Sequence, residues 1–280
     1  MKADKGDNSM YRLIACDLDE TLLRKDKTVS MGNRKAIADF EAAGGIFVCA
    51  TGRPFWTAEG TLKEIGQYRR SGSYVISFNG GAITRNEDDK LLFFAGISWD
   101  QANNLFTKGK QYDVCQHIYT LDTVWAYNMN PGEVDYLNGR QAFTEFDHDD
   151  LSFLKGQDIV KCLYENTDTD YLHRIAKDLE PMTADMDVSY SSNRYLEFNK
   201  KGVNKGTGLQ HLASILDIDI KDTIAIGDNY NDLSMIQDAG LGVGVANTVE
   251  EMKPLCDVIT EHTCEEDGVA EVIYKYALHK

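Results

Sequence analysis

No apolar stretch in this chain approaches the roughly 18 residues that would cross a bilayer, so a membrane-spanning helix is not expected. A basic excess is missing too. Lys and Arg total 29 against 45 Asp and Glu, giving a formal net charge of −16. That removes the attraction on which sequence-independent nucleic-acid binding and docking to anionic membranes depend. Six cysteines occur, at 16, 49, 115, 162, 256 and 264, but none forms a Cys-x-x-Cys pair. No Cys/His set has zinc-finger spacing either. Reduced thiols in a cytoplasmic protein are therefore expected, with Cys16 and Cys49 acting as small buried hydrophobes. Residues 1–9 have no apolar core, so they read as a polar tail and not as a secretory signal. Internal repeats and low-complexity tracts are absent.

What the chain does have is two short β-like runs that end abruptly in carboxylates. Residues 11–15 are mostly apolar and lead into Cys-Asp-Leu-Asp-Glu-Thr-Leu-Leu at 16–23. Residues 223–232 read Thr-Ile-Ala-Ile-Gly-Asp-Asn-Tyr-Asn-Asp. Apolar runs of this kind suit buried parallel strands, and ligands in open α/β sheets bind beyond the carboxyl ends of such strands. Asp17, Asp19, Asp228 and Asp232 can therefore meet at one sheet edge. Carboxylates so gathered repel unless a cation sits among them, which points to a hard divalent metal and an anionic substrate.

Strand and helix signals alternate from residue 12 to residue 78 and again from residue 204. Strands are expected at 12–17, 46–50, 74–78, 223–226 and 241–246. Helices are expected at 30–43, 205–216, 231–239, 249–255 and 268–278. Between these stretches the pattern is different, with β-type runs, the first at 91–97, and helical patterns at 99–111 and 170–179. The expected fold is α/β: a Rossmann-like, mostly parallel sheet core with an inserted α+β cap domain. Its boundaries are residues 10–83 and 200–280 for the core and 84–199 for the cap.

Four segments carry a resemblance. Asp17-Leu18-Asp19-Glu20-Thr21-Leu22, Ala50-Thr51-Gly52-Arg53, Lys205-Gly206 and Gly227-Asp228-Asn229-Tyr230-Asn231-Asp232 resemble, in order and spacing, the four motifs of the haloacid dehalogenase superfamily. Asn79-Gly80, the stretch from Gly242 to Asn247 and Asp267-Gly268-Val269-Ala270 resemble its Cof-type sugar-phosphatase subgroup, whose α/β cap (class IIB) falls between the second and third motifs. The resemblance spans residues 11–278.

Asp17, a carboxylate at a strand end, suits a nucleophile toward phosphorus. The resemblance implies an aspartyl-phosphate intermediate on it. It also implies that Asp19 acts as general acid and then general base, with its main-chain carbonyl on the metal. Thr51 can donate its hydroxyl to phosphate, joined by the Gly52 and Arg53 amides. The Arg53 guanidinium can meet the phosphate or a second anionic group, or form a surface ion pair. Lys205 begins a helix, where a cation opposes the macrodipole, so a place beside Asp17 and phosphate explains it better than a structural one. Asn231 can donate its amide to phosphate. Asp17, Asp19 and Asp228 form the expected metal set, Asp228 being the best side-chain ligand. Asp232 supports, either by capping its helix, by orienting Lys205 or through water on the metal. Few carboxylates plus water suit Mg²⁺ better than zinc. Glu20 stands where the motif more often has Gly, and a right-handed helical backbone is expected there. His117, Tyr119, Trp125 and Tyr127 are expected to pack against the cap helices, and hinge freedom is expected at Gly80, Gly81 and Gly202.

The expected activity is Mg²⁺-dependent hydrolysis of small phosphorylated metabolites, with sugar phosphates favoured. A phosphomutase would use the same residues, and a receiver-like phospho-acceptor module or an inactive sugar-phosphate sensor are the non-hydrolytic readings. The only partner expected is a small phosphate ester, with no nucleic acid or membrane, for a monomer or weak homodimer.

Overall fold

The computed structural model describes residues 11–280. The expected polar tail lies outside them. The chain divides into two units, one comprising the chain up to Phe94 together with Asn204–Lys280, the other Ala95–Val203.

The first unit begins with β1 (Leu13–Cys16), α1 (Met31–Ala42), β2 (Ile46–Ala50), α2 (Glu59–Glu64), β3 (Tyr74–Ser77), β4 (Ala82–Arg85) and β5 (Lys90–Phe94). The second contains α3 (Trp99–Gly109), β6 (Cys115–Thr120), β7 (Val124–Tyr127), α4 (Pro131–Leu137), β8 (Thr144–Glu145), β9 (Ile159–Glu165), α5 (Thr169–Thr183), β10 (Met186–Ser191) and β11 (Tyr195–Lys200). The first then resumes with α6 (Lys205–Ile215), β12 (Thr223–Gly227), α7 (Leu233–Asp238), β13 (Leu241–Gly244), β14 (Val258–Ile259) and α8 (Gly268–Val272).

An eight-stranded sheet of order β14-β13-β12-β1-β2-β3-β4-β5 forms the first unit. Pairing is parallel from β14 to β3 and antiparallel at β3-β4-β5. Both faces of the central strands are covered, which explains their unbroken apolar runs. On one face Ile14, Cys16, Phe47 and Ile226 pack with Ile37 and Phe40 of α1. On the other Leu13, Ala15, Val48 and Ala225 pack with Leu209 of α6 and Ile236 of α7.

The insert is a separate six-stranded sheet of order β10-β11-β9-β6-β7-β8. One face packs on α3 and α5 through Phe106, Ile118, Tyr164, Leu172 and Phe198. Trp125 and Tyr127 join this core, stacking edge-on with Phe153 and Phe106. His117 does not. It lies fully buried 3.5 Å from Glu133 of α4.

Several boundaries differ from the sequence reading. The insert starts at Ala95 and not at residue 84, because β4 and β5 extend the core sheet as an antiparallel edge pair. It ends at Val203 and not at 199. Residues 249–255 form no α-helix, only a 3₁₀ turn at Lys253–Leu255 closed by a hydrogen bond from Cys256 to the Lys253 carbonyl. So short a segment gains too few bonds to offset helix nucleation. The last helix widens to π geometry over Ile273–Ala277, with the Leu278 amide reaching back five residues to Ile273. Gly80, at φ +95°, packs so closely that an added Cβ would lie 2.1 Å from the Asn204 carbonyl oxygen, which only glycine accommodates.

Candidate active site

Parallel registry brings the motif residues level. Cys16 pairs with Cys49 and with Ile226, so Asp17, Thr51 and Asp228 all emerge at the carboxyl edge of β1, β2 and β12. The Asp17 amide donates to Ile226 and the Thr51 amide to Ile76, at 2.9 and 2.8 Å, continuing the ladder just past the strand ends. The chain then turns back, the amides of Leu22 and Leu23 donating to Asp17 and Leu18. Asp19 therefore sits on a turn and not on a continued strand.

A cavity of about 220 Å³ opens there, lined by Asp17, Asp19, Thr51, Arg53, Asp228 and Asn231 together with Glu20, Gly52 and Asn229. Beneath it lies Lys205, wholly buried. Its ammonium bonds Asp17 Oδ1 and, at 2.6 Å, Asp232 Oδ1. Asp232 uses its other oxygen to accept the amides of Asp228 and Asn229 at 3.0 and 3.1 Å. That grip needs Gly227, where a Cβ would come 2.4 Å from the Asp232 side chain. Thr21 donates to Asp228 Oδ1 at 2.7 Å. Thr51 accepts the Arg53 amide at 3.1 Å, which leaves its own proton to donate. Asp19 pairs with Arg53 and, at 2.9 Å, with Lys27. Asn231 reaches the Asn79 side chain at 3.4 Å.

Every expected site residue except Lys205 and Asp232 thus lines one cavity, and those two hold Asp17 and Asp228 from behind. Thr21, Lys27 and Asn79 are not among the expected site residues, although Thr21 and Asn79 lie in segments that carry the resemblance. Thr21 sits inside the first motif and was findable. Lys27 lies on an exposed turn with no pattern to mark it. Glu20 differs from expectation. Its φ is +59°, left-handed and not right-handed. The side chain of Asn247, which donates to the Glu20 carbonyl at 2.8 Å and accepts the Cys264 amide at 2.9 Å, fixes that turn.

Oxygens of Asp17, Asp228 and Asp232 lie within 4.8 Å of one another. Three buried carboxylates face one buried ammonium. Burial pushes Asp17 up to about 8, against the pull of Lys205. Burial likewise lifts Asp228 to about 6. Burial alone would lower Lys205, but Asp17 and Asp232 override it and hold the ammonium well above its usual range. The residues fit a cation. Asp17 Oδ2 and Asp228 Oδ2 take no hydrogen bond from the described residues, whereas Asp232 is fully engaged and serves as a support. An all-oxygen donor set with negative charge left over suits a hard divalent ion.

Comparison with known proteins agrees with this geometry. The model of the haloacid dehalogenase-like hydrolases matches residues 14–273. The chain is 31% identical over 275 residues to the 5-amino-6-(5-phospho-D-ribitylamino)uracil phosphatase YcsE of Bacillus subtilis, covering 95% of this chain and 96% of that one. A haloacid dehalogenase-like hydrolase structure from Bacteroides thetaiotaomicron superposes with a TM-score of 0.82 at 29% identity, covering 95% and 99% of the two chains. A sugar phosphatase of subclass IIB shares the fold at a TM-score of 0.77 and 16% identity, covering 95% and 98%. The chain is therefore a phosphoric monoester hydrolase belonging to the haloacid dehalogenase-like hydrolases, in their Cof-type branch with a class IIB insert.

Proposed function

We propose that this enzyme is a Mg²⁺-dependent phosphatase of small phosphorylated metabolites, sugar phosphates foremost, and that it works through an aspartyl-phosphate on Asp17. One observation carries the reading. Asp17 is anchored through Oδ1 by Lys205 and keeps Oδ2 free in a cavity shared with Thr51, Arg53, Asn231 and Asp228.

Asp17 Oδ2 attacks phosphorus while Lys205 fixes the carboxylate and offsets its charge. The Thr51 hydroxyl, the Gly52 and Arg53 amides and the Asn231 amide bind the phosphoryl oxygens. Asp19 gives its proton to the departing alkoxide and then takes one from the water that cleaves the acyl phosphate. To do so it exchanges Lys27 and Arg53 for the leaving-group oxygen. Asp17, Asp228 and the Asp19 carbonyl would hold Mg²⁺, which neutralises charge on the transferring group. Asp232 holds Lys205 and the Asp228 loop in place.

The phosphatase YcsE is named for a phosphate carried on a ribityl chain, which supports a polyol leaving group here. All six cysteines are free, which supports a reducing cytoplasm.

The test is a panel of sugar phosphates, other phosphorylated metabolites and p-nitrophenyl phosphate, assayed with Mg²⁺ for free phosphate. Release that depends on Asp17 is expected, with the sugar phosphates turned over fastest. An isomerised phosphate ester without free phosphate would mean a mutase, and no release would end the reading.

A further inference from the structure

Glu20 occupies a left-handed backbone, at φ +59°, that a bulky residue adopts at a cost and glycine adopts freely. Strained residues of this kind persist where the surroundings over-determine them, commonly at functional sites. Asn247 supplies that constraint by binding the Glu20 carbonyl. The clamp leaves the side chain exposed at the lip of the catalytic cavity.

The other acids of the cavity are occupied. Asp17 has Lys205, Asp19 has Lys27 and Arg53, and Asp228 has the Thr21 hydroxyl. The Glu20 carboxylate has neither an ion pair nor a hydrogen bond among the described residues.

We propose that Glu20 is a specificity-determining residue that selects against substrates with a second anionic group beside the scissile phosphate. The inference rests on the phosphatase reading of this cavity. Glu20 repels the phosphate of every ester alike, so its discrimination acts on the alcohol. Phosphate esters of neutral polyols or of amines approach without added penalty, while the second anionic group of bisphosphates and phosphorylated hydroxy acids meets an unpaired carboxylate. At about 7 Å and an effective dielectric between bulk water and protein, one such pair of charges is worth on the order of tenfold in kcat/KM.

Glycerol 3-phosphate and 3-phosphoglycerate test this, since both present a three-carbon chain and the latter adds one carboxylate. Glu20→Gln keeps side-chain length and backbone geometry and removes only the charge. Its expected effect is a rise of about tenfold in kcat/KM for 3-phosphoglycerate relative to glycerol 3-phosphate. That gain should shrink toward unity near 1 M salt, where the screening length is about 3 Å. Inhibition of p-nitrophenyl phosphate hydrolysis by the two esters gives the same ratio if either turns over too slowly. A ratio unchanged within about twofold, or one insensitive to salt, would overturn the proposal. Glu20→Gly serves as the conformational control. It relieves the backbone and should raise the melting temperature, and it should shift the substrate ratio as the glutamine does. If only the glycine variant moved the ratio, backbone strain and not charge would be the cause. Asp17-dependent hydrolysis of p-nitrophenyl phosphate by the unmodified enzyme tests the underlying reading independently.

Discussion

Lys205 Nζ lies between Asp17 Oδ1 and Asp232 Oδ1, with all three side chains buried, and it is the cation through which two distant strand ends are joined. Removing one partner of a buried ion pair leaves an uncompensated charge, a loss of about 3–5 kcal/mol. Lys205→Met should therefore destabilise the core by roughly 3 kcal/mol in urea unfolding and abolish turnover. Neutralising its partners as well, in Lys205→Met/Asp17→Asn/Asp232→Asn, should recover at least half of that stability and none of the activity. A single Lys205→Met variant as stable as the parent would show that the charges are solvated and not paired.

The two acids of the first motif should separate kinetically. Asp17→Asn keeps the shape but loses the nucleophile, so turnover should fall to background with every ester. Asp19→Asn should cost roughly 10²–10⁴-fold with a sugar phosphate, whose alkoxide needs a proton. With p-nitrophenyl phosphate the leaving group needs none, so the first step should suffer less and phosphoenzyme should accumulate. Quenched-flow trapping of labelled enzyme measures this. Equal losses on both substrates without trapped phosphoenzyme would remove Asp19 from the proton-transfer role.

Legibility followed the physics of burial. The β1 and β12 runs were readable because both faces are covered, and Asp17 and Asp228 follow them directly. Strand β4 was not, and β5, though expected as a β-type run at 91–97, was placed in the insert. Lys90 and Leu91 are exposed on an edge, so the pattern there resembles an independent β-rich segment and drew the insert boundary too early. Lys205 could be placed beside Asp17 from the cost of a cation at a helix start. The Lys27 contact to Asp19 could not, because a loop lysine on a turn with φ +64° carries no periodicity. Likewise, only three dimensions bring Asn247 to the Glu20 carbonyl across 227 residues.

If the proposed metal site is real, the carboxylate excess around Lys205 should make a cation necessary for turnover and should leave the metal-free protein less stable. Chelation with EDTA should abolish activity, and Mg²⁺ should restore it. Ca²⁺ should bind but support turnover poorly, because its longer bonds and higher coordination number loosen in-line geometry. The metal-free protein should also melt lower, by an amount that grows with added Mg²⁺ as linkage requires. Full activity after exhaustive chelation would contradict the assigned metal role of Asp17 and Asp228.

The insert offers a pH prediction of its own. His117 is fully buried, and neither ring nitrogen has a hydrogen-bond partner. Burial, helped by the nearby charges of Lys161 and Arg194, lowers it to about 3, while Glu133 lies 3.5 Å from Nε2. In the unfolded chain it titrates near its ordinary value of about 6.5. Between these values the unfolded state binds the extra proton, so stability must fall as pH drops from about 6.5 toward 3, and is unaffected above that range. From pH 7.5 to pH 5 the loss attributable to this residue is about 2 kcal/mol. Trp99 and Trp125 lie in the insert, so with Trp56 of the first unit replaced by Phe their fluorescence reports its urea unfolding. Other acids contribute to the same pH slope, and the comparison with His117→Asn isolates the histidine. The variant is expected to be less stable at pH 7.5, having lost a packed ring, yet to lose about 2 kcal/mol less than the parent on going to pH 5. Parallel pH profiles for the two proteins would mean that His117 protonates in place, stabilised by Glu133, and that the insert tolerates the charge.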